Sequence, residues 1–121
     1  MTIHKKNDEL EVILGQIKSV MGEKIILSVG VSYKMVKNKI AIEQALQAYW
    51  TLKDEIIAKY SGGKVCITKN DDPENYAKVT AEVVQIAEEY TDVDISEITL
   101  EELGEKELPL NVISALGFMM K

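Results

Sequence analysis

The stretch from Thr91 to Leu103, TDVDISEITLEEL, carries carboxylates at a spacing that a calcium-binding loop could use. Such a loop of the EF-hand type needs oxygen ligands at alternate positions, then a glycine at the sixth position and a bidentate glutamate at the twelfth. Asp92 and Asp94 fit the first and third positions. Glu97 stands where the glycine is required, and Leu103 stands where the glutamate is required. The stretch therefore does not predict a calcium site, and we expect no metal site.

A β-strand explains the same residues better. Val93 and Ile95 alternate with Asp92 and Asp94, so the apolar pair can face a core while the acids face solvent. Residues 65–68 show a similar short alternation, which predicts a second strand and a two-stranded element made of segments 65–68 and 92–95. A helix between these segments would allow a parallel pairing with a right-handed crossover, and an antiparallel pairing stays open.

Catalytic residues in a recognisable arrangement are not found in the sequence. The Gly62–Lys64 segment lacks the upstream glycine and the following Ser or Thr of a phosphate loop, so it is interpreted as a helix stop. His4, the single histidine, lies in an N-terminal segment that we expect to be frayed, and Cys66 is expected to be a half-buried strand residue. A paired-carboxylate hydrolase stays open because acids are abundant, although no pair can be placed in a cleft. We expect a non-enzymatic protein without a cofactor.

Composition predicts one globular domain, residues 1–121, in the cytoplasm. A chain of 121 residues with 46% hydrophobic residues can bury a core without staples. The sequence has no apolar run of the roughly 20 residues that span a bilayer, and a single cysteine is typical of a reducing compartment. It has no arginine and a net charge of −6, which argues against nucleic-acid binding.

Acidic residues are concentrated towards the C-terminus. Residues 65–121 hold thirteen acids and four lysines, whereas residues 1–64 hold ten lysines and seven acids. Nine of the acids lie in residues 88–107. This block either keeps the chain in solution or docks on a basic partner. The acids that we predict to contact such a partner are Asp92, Asp94, Glu97, Glu101 and Glu102.

Helical periodicity dominates the rest of the chain, so we predict an α+β fold that is mostly helical. The first helix is expected to be capped by Asn7 and to end at Gly22. The second is long, about residues 32–60 with a possible start at Val29, and Ser28 could cap it. A third helix starts at Asp72-Pro73, and a fourth follows Leu108-Pro109. The long helix carries one broad apolar stripe of Val36, Ile40, Leu46, Tyr49, Trp50, Leu52, Ile56, Ile57 and Tyr60.

Tyr49 and Trp50 are the aromatic pair of the long helix. Adjacent helical residues point about 100° apart, so one small core is not expected to bury both equally. Trp and Tyr are enriched at the energetic centres of protein interfaces. We therefore predict that one of the two is a partner-binding anchor, and that the long helix could also support a homo-oligomer.

Three segments resemble a group of small proteins encoded by phages and prophages of low-GC Gram-positive bacteria. They are residues 32–60, SYKMVKNKIAIEQALQAYWTLKDEIIAKY, residues 93–103, VDISEITLEEL, and residues 113–120, ISALGFMM. The pattern covers about two-thirds of the chain and contains no catalytic signature. The resemblance implies a phage setting and transfers no active-site residue.

Two functions are expected from these features. The first is a phage-encoded protein that binds and inhibits a host defence system, such as a CRISPR nuclease, through its acidic surface. The alternative is a virion or tail assembly chaperone, or an oligomeric accessory protein, that uses the long helix. Both involve a host or phage protein as the partner, and neither involves nucleic acid or a membrane.

Overall fold

The computed structural model describes residues 1–22, 27–103 and 108–120. Within these ranges five α-helices, one 3-10 helix and a two-stranded sheet form the mostly helical α+β fold that the sequence predicts. In chain order the elements are β1 (Thr2–Lys6), α1 (Asn7–Met21), α2 (Val29–Ser61), α3 (Pro73–Ala87), β2 (Tyr90–Asp94), α4 (Leu100–Leu103) and α5 (Leu110–Leu116), and the 3-10 helix Gly117–Met119 follows α5. Residues 104–107 of the acidic block lie outside the described residues.

Helix α2 is the longest element, with 33 residues and a length of about 50 Å. The Ser28 hydroxyl accepts a hydrogen bond from the Val31 amide at 3.2 Å, so the helix begins at Val29, the earlier of the two starts that the sequence leaves open. At the other end Gly62 adopts a left-handed conformation (φ 72°), which a residue with a side chain rarely adopts. No proline interrupts the 33 residues, so the helix continues between these two signals.

Two shorter helices begin in different ways. Helix α3 starts as predicted, with the Asp72 carboxylate accepting from the Asn75 amide at 3.1 Å and Pro73 in the first turn. The predicted cap of α1 is wrong, because Lys6 occupies the cap position and Asn7 is the first helical residue. The Asn7 side chain is buried instead, and its carboxamide bonds to the end of α3 and to Thr91 of β2.

The sheet pairs the N-terminal segment with a segment that follows α3. Strand β1 runs antiparallel to β2, with Ile3 opposite Val93 and His4 opposite Asp92. The predictions of a strand at 65–68, of its pairing with 92–95 and of a frayed N-terminus are therefore wrong. Val65 is 94% exposed, so a strand there would bury little apolar surface, whereas β1 places Ile3 against the core.

One hydrophobic cluster joins α1, most of α2, β2 and the C-terminal helices. Val93 and Ile95 lie in this cluster, as the alternation of residues 92–95 predicts, and Asp92 and Asp94 are exposed. The most deeply buried hydrophobic side chains are Leu10, Ile17, Val31, Ile42, Leu46, Ile98, Val112, Leu116 and Met119. The buried face of α2 therefore receives residues from both ends of the sequence.

Asn38 is the one fully buried polar side chain of α2, with 1% of its surface exposed. Its carboxamide oxygen accepts from the Ser96 amide at 2.7 Å, and its nitrogen donates to the Ser96 carbonyl at 3.0 Å. The amide nitrogen also lies 3.5 Å from the Met119 sulfur. The side chain thus supplies hydrogen-bond partners to the amide and the carbonyl of Ser96. Ser96 follows β2, and no described strand pairs with it there.

We expect Asn38→Leu to lower the free energy of unfolding by about 2–4 kcal/mol, because it leaves the partly buried backbone groups of Ser96 without partners. Urea unfolding followed by circular dichroism measures the change. Gln44→Leu is the matched control on the exposed side of α2 and should stay within about 0.5 kcal/mol of the wild type. Equal stability of the two variants would contradict this role for Asn38.

Candidate functional site

The two predicted aspartates of β2 lie on the outer face of the sheet and contact β1. Asp92 contacts the His4 ring nitrogen, and Asp94 accepts a hydrogen bond from the Thr2 hydroxyl at 3.2 Å. The His4 ring stacks on Tyr90, with centroids 4.5 Å apart and planes within 5°. Opposite residues of an antiparallel pair stabilise the sheet through such contacts. Both aspartates therefore take part in holding β1 on β2.

Glu97 and Glu102 are also engaged within the chain. The amino group of Met1 lies 3.6 Å from the Glu97 carboxylate. The Lys34 ammonium donates to the Glu97 carbonyl and to the Glu102 carboxylate, each at 2.8 Å. Lys34 therefore connects α2 to the segment between β2 and α4.

A capping box at the start of α4 also involves Glu102. The Thr99 hydroxyl accepts from the Glu102 amide at 3.2 Å, and the Glu102 carboxylate accepts from the Thr99 amide at 3.3 Å. A Thr followed three residues later by Glu is the sequence signal for this arrangement, so it could have been found without the structure. The hydrogen bond from Lys34 is the largest of the causes that hold the pKa of Glu102 below its ordinary value.

Glu101 differs from the other four predicted acids because its side chain is exposed and no described residue forms an ion pair with it. It lies next to Leu100, which is 73% exposed. The predicted acidic site is therefore not a uniform surface. Four of its carboxylates contact other groups of the chain, and Glu101 is the exposed one without such a contact among the described residues.

Tyr49 and Trp50 are unequally buried, as their adjacency predicts. Tyr49 is 6% exposed and belongs to the core, where burial, followed by the neighbouring Glu11 carboxylate, raises its pKa to about 12. Trp50 is partly buried, and its indole nitrogen donates to Glu11 at 3.4 Å. Trp50 is therefore the more accessible of the two proposed anchors.

A second apolar face on α2 was missed by the sequence analysis, which placed Val36 and Ile40 in one stripe with the core residues. The structure corrects this, because residues on opposite sides of the first half of α2 are apolar. The exposed face, called the α2 stripe below, consists of Val29 (87% exposed), Tyr33 (67%), Val36 (40%) and Ile40 (48%). Their intervals of four, three and four residues are the signal that could have separated them from the buried positions.

The polar chemistry of the surface is limited. Among the described residues no group of three or more His, Cys, Asp or Glu side chains could hold a metal ion. Cys66 is exposed in a segment without a strand, which corrects the prediction of a half-buried strand residue. None of the described helices combines the length and the apolar character needed to cross a membrane.

No protein-family model matches this chain, and no curated protein or solved structure is significantly similar to it. Its function must therefore be inferred from its own surfaces. Those surfaces are an acidic region with Glu101 as its free carboxylate, and the α2 stripe.

The lowered pKa of Glu102 predicts a specific pH dependence. Because the folded-state pKa lies below the ordinary value of 4.5, this carboxylate stabilises the fold above that pH and loses its contribution as the pH falls through the folded-state pKa. Wild type should thus be more stable than Glu102→Gln at neutral pH, and the difference should vanish in acid. Urea titrations from neutral to acidic pH measure it. Glu101→Gln is the control, and a pH-dependent difference of the same size in that variant would contradict the assignment to Glu102.

Proposed function

We propose that this chain is a non-enzymatic protein-binding protein that associates with a second copy of itself through the α2 stripe. The observation that carries this proposal is the exposure of four apolar side chains on the side of α2 opposite its buried face. An unpartnered apolar stripe at coiled-coil spacing is typical of a helix that packs against another helix.

The spacing of the stripe favours a second copy over an unrelated helix. The intervals of four, three and four residues read the same in both directions. In an antiparallel pair about a two-fold axis at the centre of the stripe, Val29 of one copy lies opposite Ile40 of the other, and Tyr33 lies opposite Val36. A two-fold interface requires this kind of self-complementary patch.

The polar residues beside the stripe are compatible with this pairing. Lys37 lies on the opposite flank of the stripe from Ser32 and is exposed, so its long side chain can direct the ammonium group to solvent in the pair. Lys39 is held by Glu43 within its own helix, at 2.9 Å. One flank of the stripe therefore carries a lysine that is paired within its own copy, and the other carries a lysine whose charge is screened by solvent.

An oligomeric accessory protein is the role that this surface supports best. The resemblance to small phage and prophage proteins supports a place in virion or tail assembly, where a small protein that binds itself and other proteins through helices can act as a chaperone. Localisation in the host-cell cytoplasm follows from the same proposal.

An inhibitor of a host defence system is the second candidate, and the exposed Glu101 beside the exposed Leu100 favours it. An acidic residue with no ion-pair partner among the described residues can meet a basic groove without first breaking an internal contact. Asp92, Asp94 and Glu97 would have to exchange their contacts with β1 and the Met1 amino group to do so. Glu101 is therefore the first residue to test for this function.

Light scattering coupled to size exclusion tests the self-association. We expect the wild type to reach twice the 13.5 kDa of one chain as its concentration rises. The double variant Tyr33→Lys/Val36→Lys should stay monomeric with unchanged helical content, because it places charges in the centre of the interface while altering only surface positions. Gln47→Lys, on the same line of α2 beyond the stripe, is the control and should dimerise. A wild type that is monomeric at all concentrations would refute the proposal.

Binding to a purified defence nuclease tests the second candidate. Binding that weakens with salt and with Glu101→Lys, and that survives Asp54→Lys on α2, would support acidic docking. Binding that is indifferent to salt and to Glu101→Lys would exclude it.

A further inference from the structure

A cleft between the second half of α2 and α3 is separate from the α2 stripe and from the acidic region. Its volume is about 390 Å³, within the roughly 300–1,000 Å³ of many ligand sites. Seven residues line it: Leu52, Glu55, Ile56 and Lys59 from α2, and Glu82, Gln85 and Ile86 from α3. The two helices are held beside it by the Asn75 carboxamide, which donates to the Tyr60 carbonyl at 3.3 Å.

Glu82 has a carboxylate oxygen that is buried without a hydrogen-bond partner. Among the described residues, this Oε2 atom is the one buried side-chain oxygen or nitrogen that has no hydrogen-bond partner. Removing a carboxylate oxygen from water without a donor is costly, and such groups are usually paired. The predicted partner-binding acids Asp92, Asp94, Glu97 and Glu102 do have donors or cations within the chain. Glu82 therefore lacks what those acids have, a cationic or donor partner.

The other charges of the cleft do not supply this partner. Lys59 lies over the Tyr60 ring, with its ammonium 4.8 Å from the ring centre, and it forms no ion pair with any described residue. Glu55 is exposed and likewise has no ion pair within the described ranges. The cleft is thus lined by two glutamates and one lysine, and the lysine contacts an aromatic ring and neither glutamate.

Apolar walls accompany these acids. Ile56 is 9% exposed, Ile86 is partly buried, and Leu52 is 43% exposed at the rim. A long side chain with methylene groups and a cationic end matches such a cleft, because its stem covers apolar surface while its charge reaches the carboxylates. A bare divalent cation matches it less well, since such ions prefer a shell of oxygen ligands.

We propose that this cleft receives an arginine side chain from a partner protein. The planar guanidinium offers five donors, is weakly hydrated and forms paired hydrogen bonds with carboxylates. When the Glu82 carboxylate turns into the cleft, the guanidinium can bond to the oxygen that is otherwise buried without a partner and also reach Glu55, which lines the same cleft. This chain contains no arginine. The side chain must therefore come from a different protein, and a second copy of this chain cannot supply it.

The cleft is independent of the proposed self-association. The cleft involves residues 52–59 of α2, whereas the α2 stripe lies in residues 29–40. A monomeric wild type would refute the dimer and leave the cleft unaffected. A wild type that does not bind the arginine peptide would refute the cleft as an arginine site and leave the proposed dimer unaffected.

Nitrogen-15 NMR titration with the peptide acetyl-Ala-Arg-Ala-amide tests the proposal. We expect saturable shifts confined to residues 52–59 and 82–86. The same peptide with citrulline, which keeps the shape and removes the charge, should produce none. Glu82→Gln and Glu55→Gln should each weaken binding, Glu82→Gln by about tenfold or more because it removes a charge-assisted contact. Glu88→Gln, an equal change of charge on the exposed surface just after α3, should bind as the wild type does.

Thermal unfolding provides a second measurement that separates binding from folding. Glu82→Leu should raise Tm, because it removes the buried oxygen that has no partner, and it should abolish the peptide shifts. A folded Glu82→Leu variant that still binds the arginine peptide would overturn the proposal. Equal shifts with citrulline, shifts outside the cleft, or equal affinity for acetyl-Ala-Lys-Ala-amide would overturn it as well.

Discussion

The carboxamide of Asn38 is the contact on which the C-terminal half of this fold depends. By bonding to both backbone groups of Ser96, it gives the chain leaving β2 a partner on the face of α2. Asn7 makes a different contact near the start of β2, where its amide donates to the Ile86 carbonyl of α3 and its oxygen accepts from the Thr91 hydroxyl. A buried side-chain amide of this kind favours one arrangement of the chain, because an apolar residue in its place leaves the backbone groups that it bonds without partners. The two asparagines therefore determine where β2 lies, and β2 in turn determines where β1 can pair.

Most of the acidic character of the candidate site follows from this arrangement. Once β1 pairs with β2, Asp92 and Asp94 lie beside His4 and Thr2, and the chain reversal brings Glu102 to Lys34. These contacts are exposed or partly buried, so each contributes modestly to stability, yet together they occupy four of the five predicted carboxylates. Negative charge in the sequence is thus not equivalent to negative charge offered to a partner.

Helix α2 presents three chemically different faces. Its first half is buried on one side and apolar on the opposite side, and its second half forms a cleft with α3 in which the Glu82 carboxylate has an oxygen without a partner. A helix of about 50 Å is long enough to separate these surfaces, so the two proposed partners would contact different residues of α2. A scaffold or accessory role, in which one partner is a second copy and the other carries an arginine, is consistent with that separation.

The sequence by itself determined the local elements, because their signals are local. Ser28 and Gly62 bound α2, Asp72-Pro73 starts α3, and the alternation of Val93 and Ile95 defines the buried side of β2. Only the tertiary structure decided the strand partner, since residues 2–6 and 90–94 pair across most of the chain and no local pattern records that contact. It also decided that the apolar residues of α2 belong to two opposite faces, and that Glu82 is buried without a partner while Glu101 is free. Periodicity tells which residues share a side of a helix, but which side is covered depends on what packs against it.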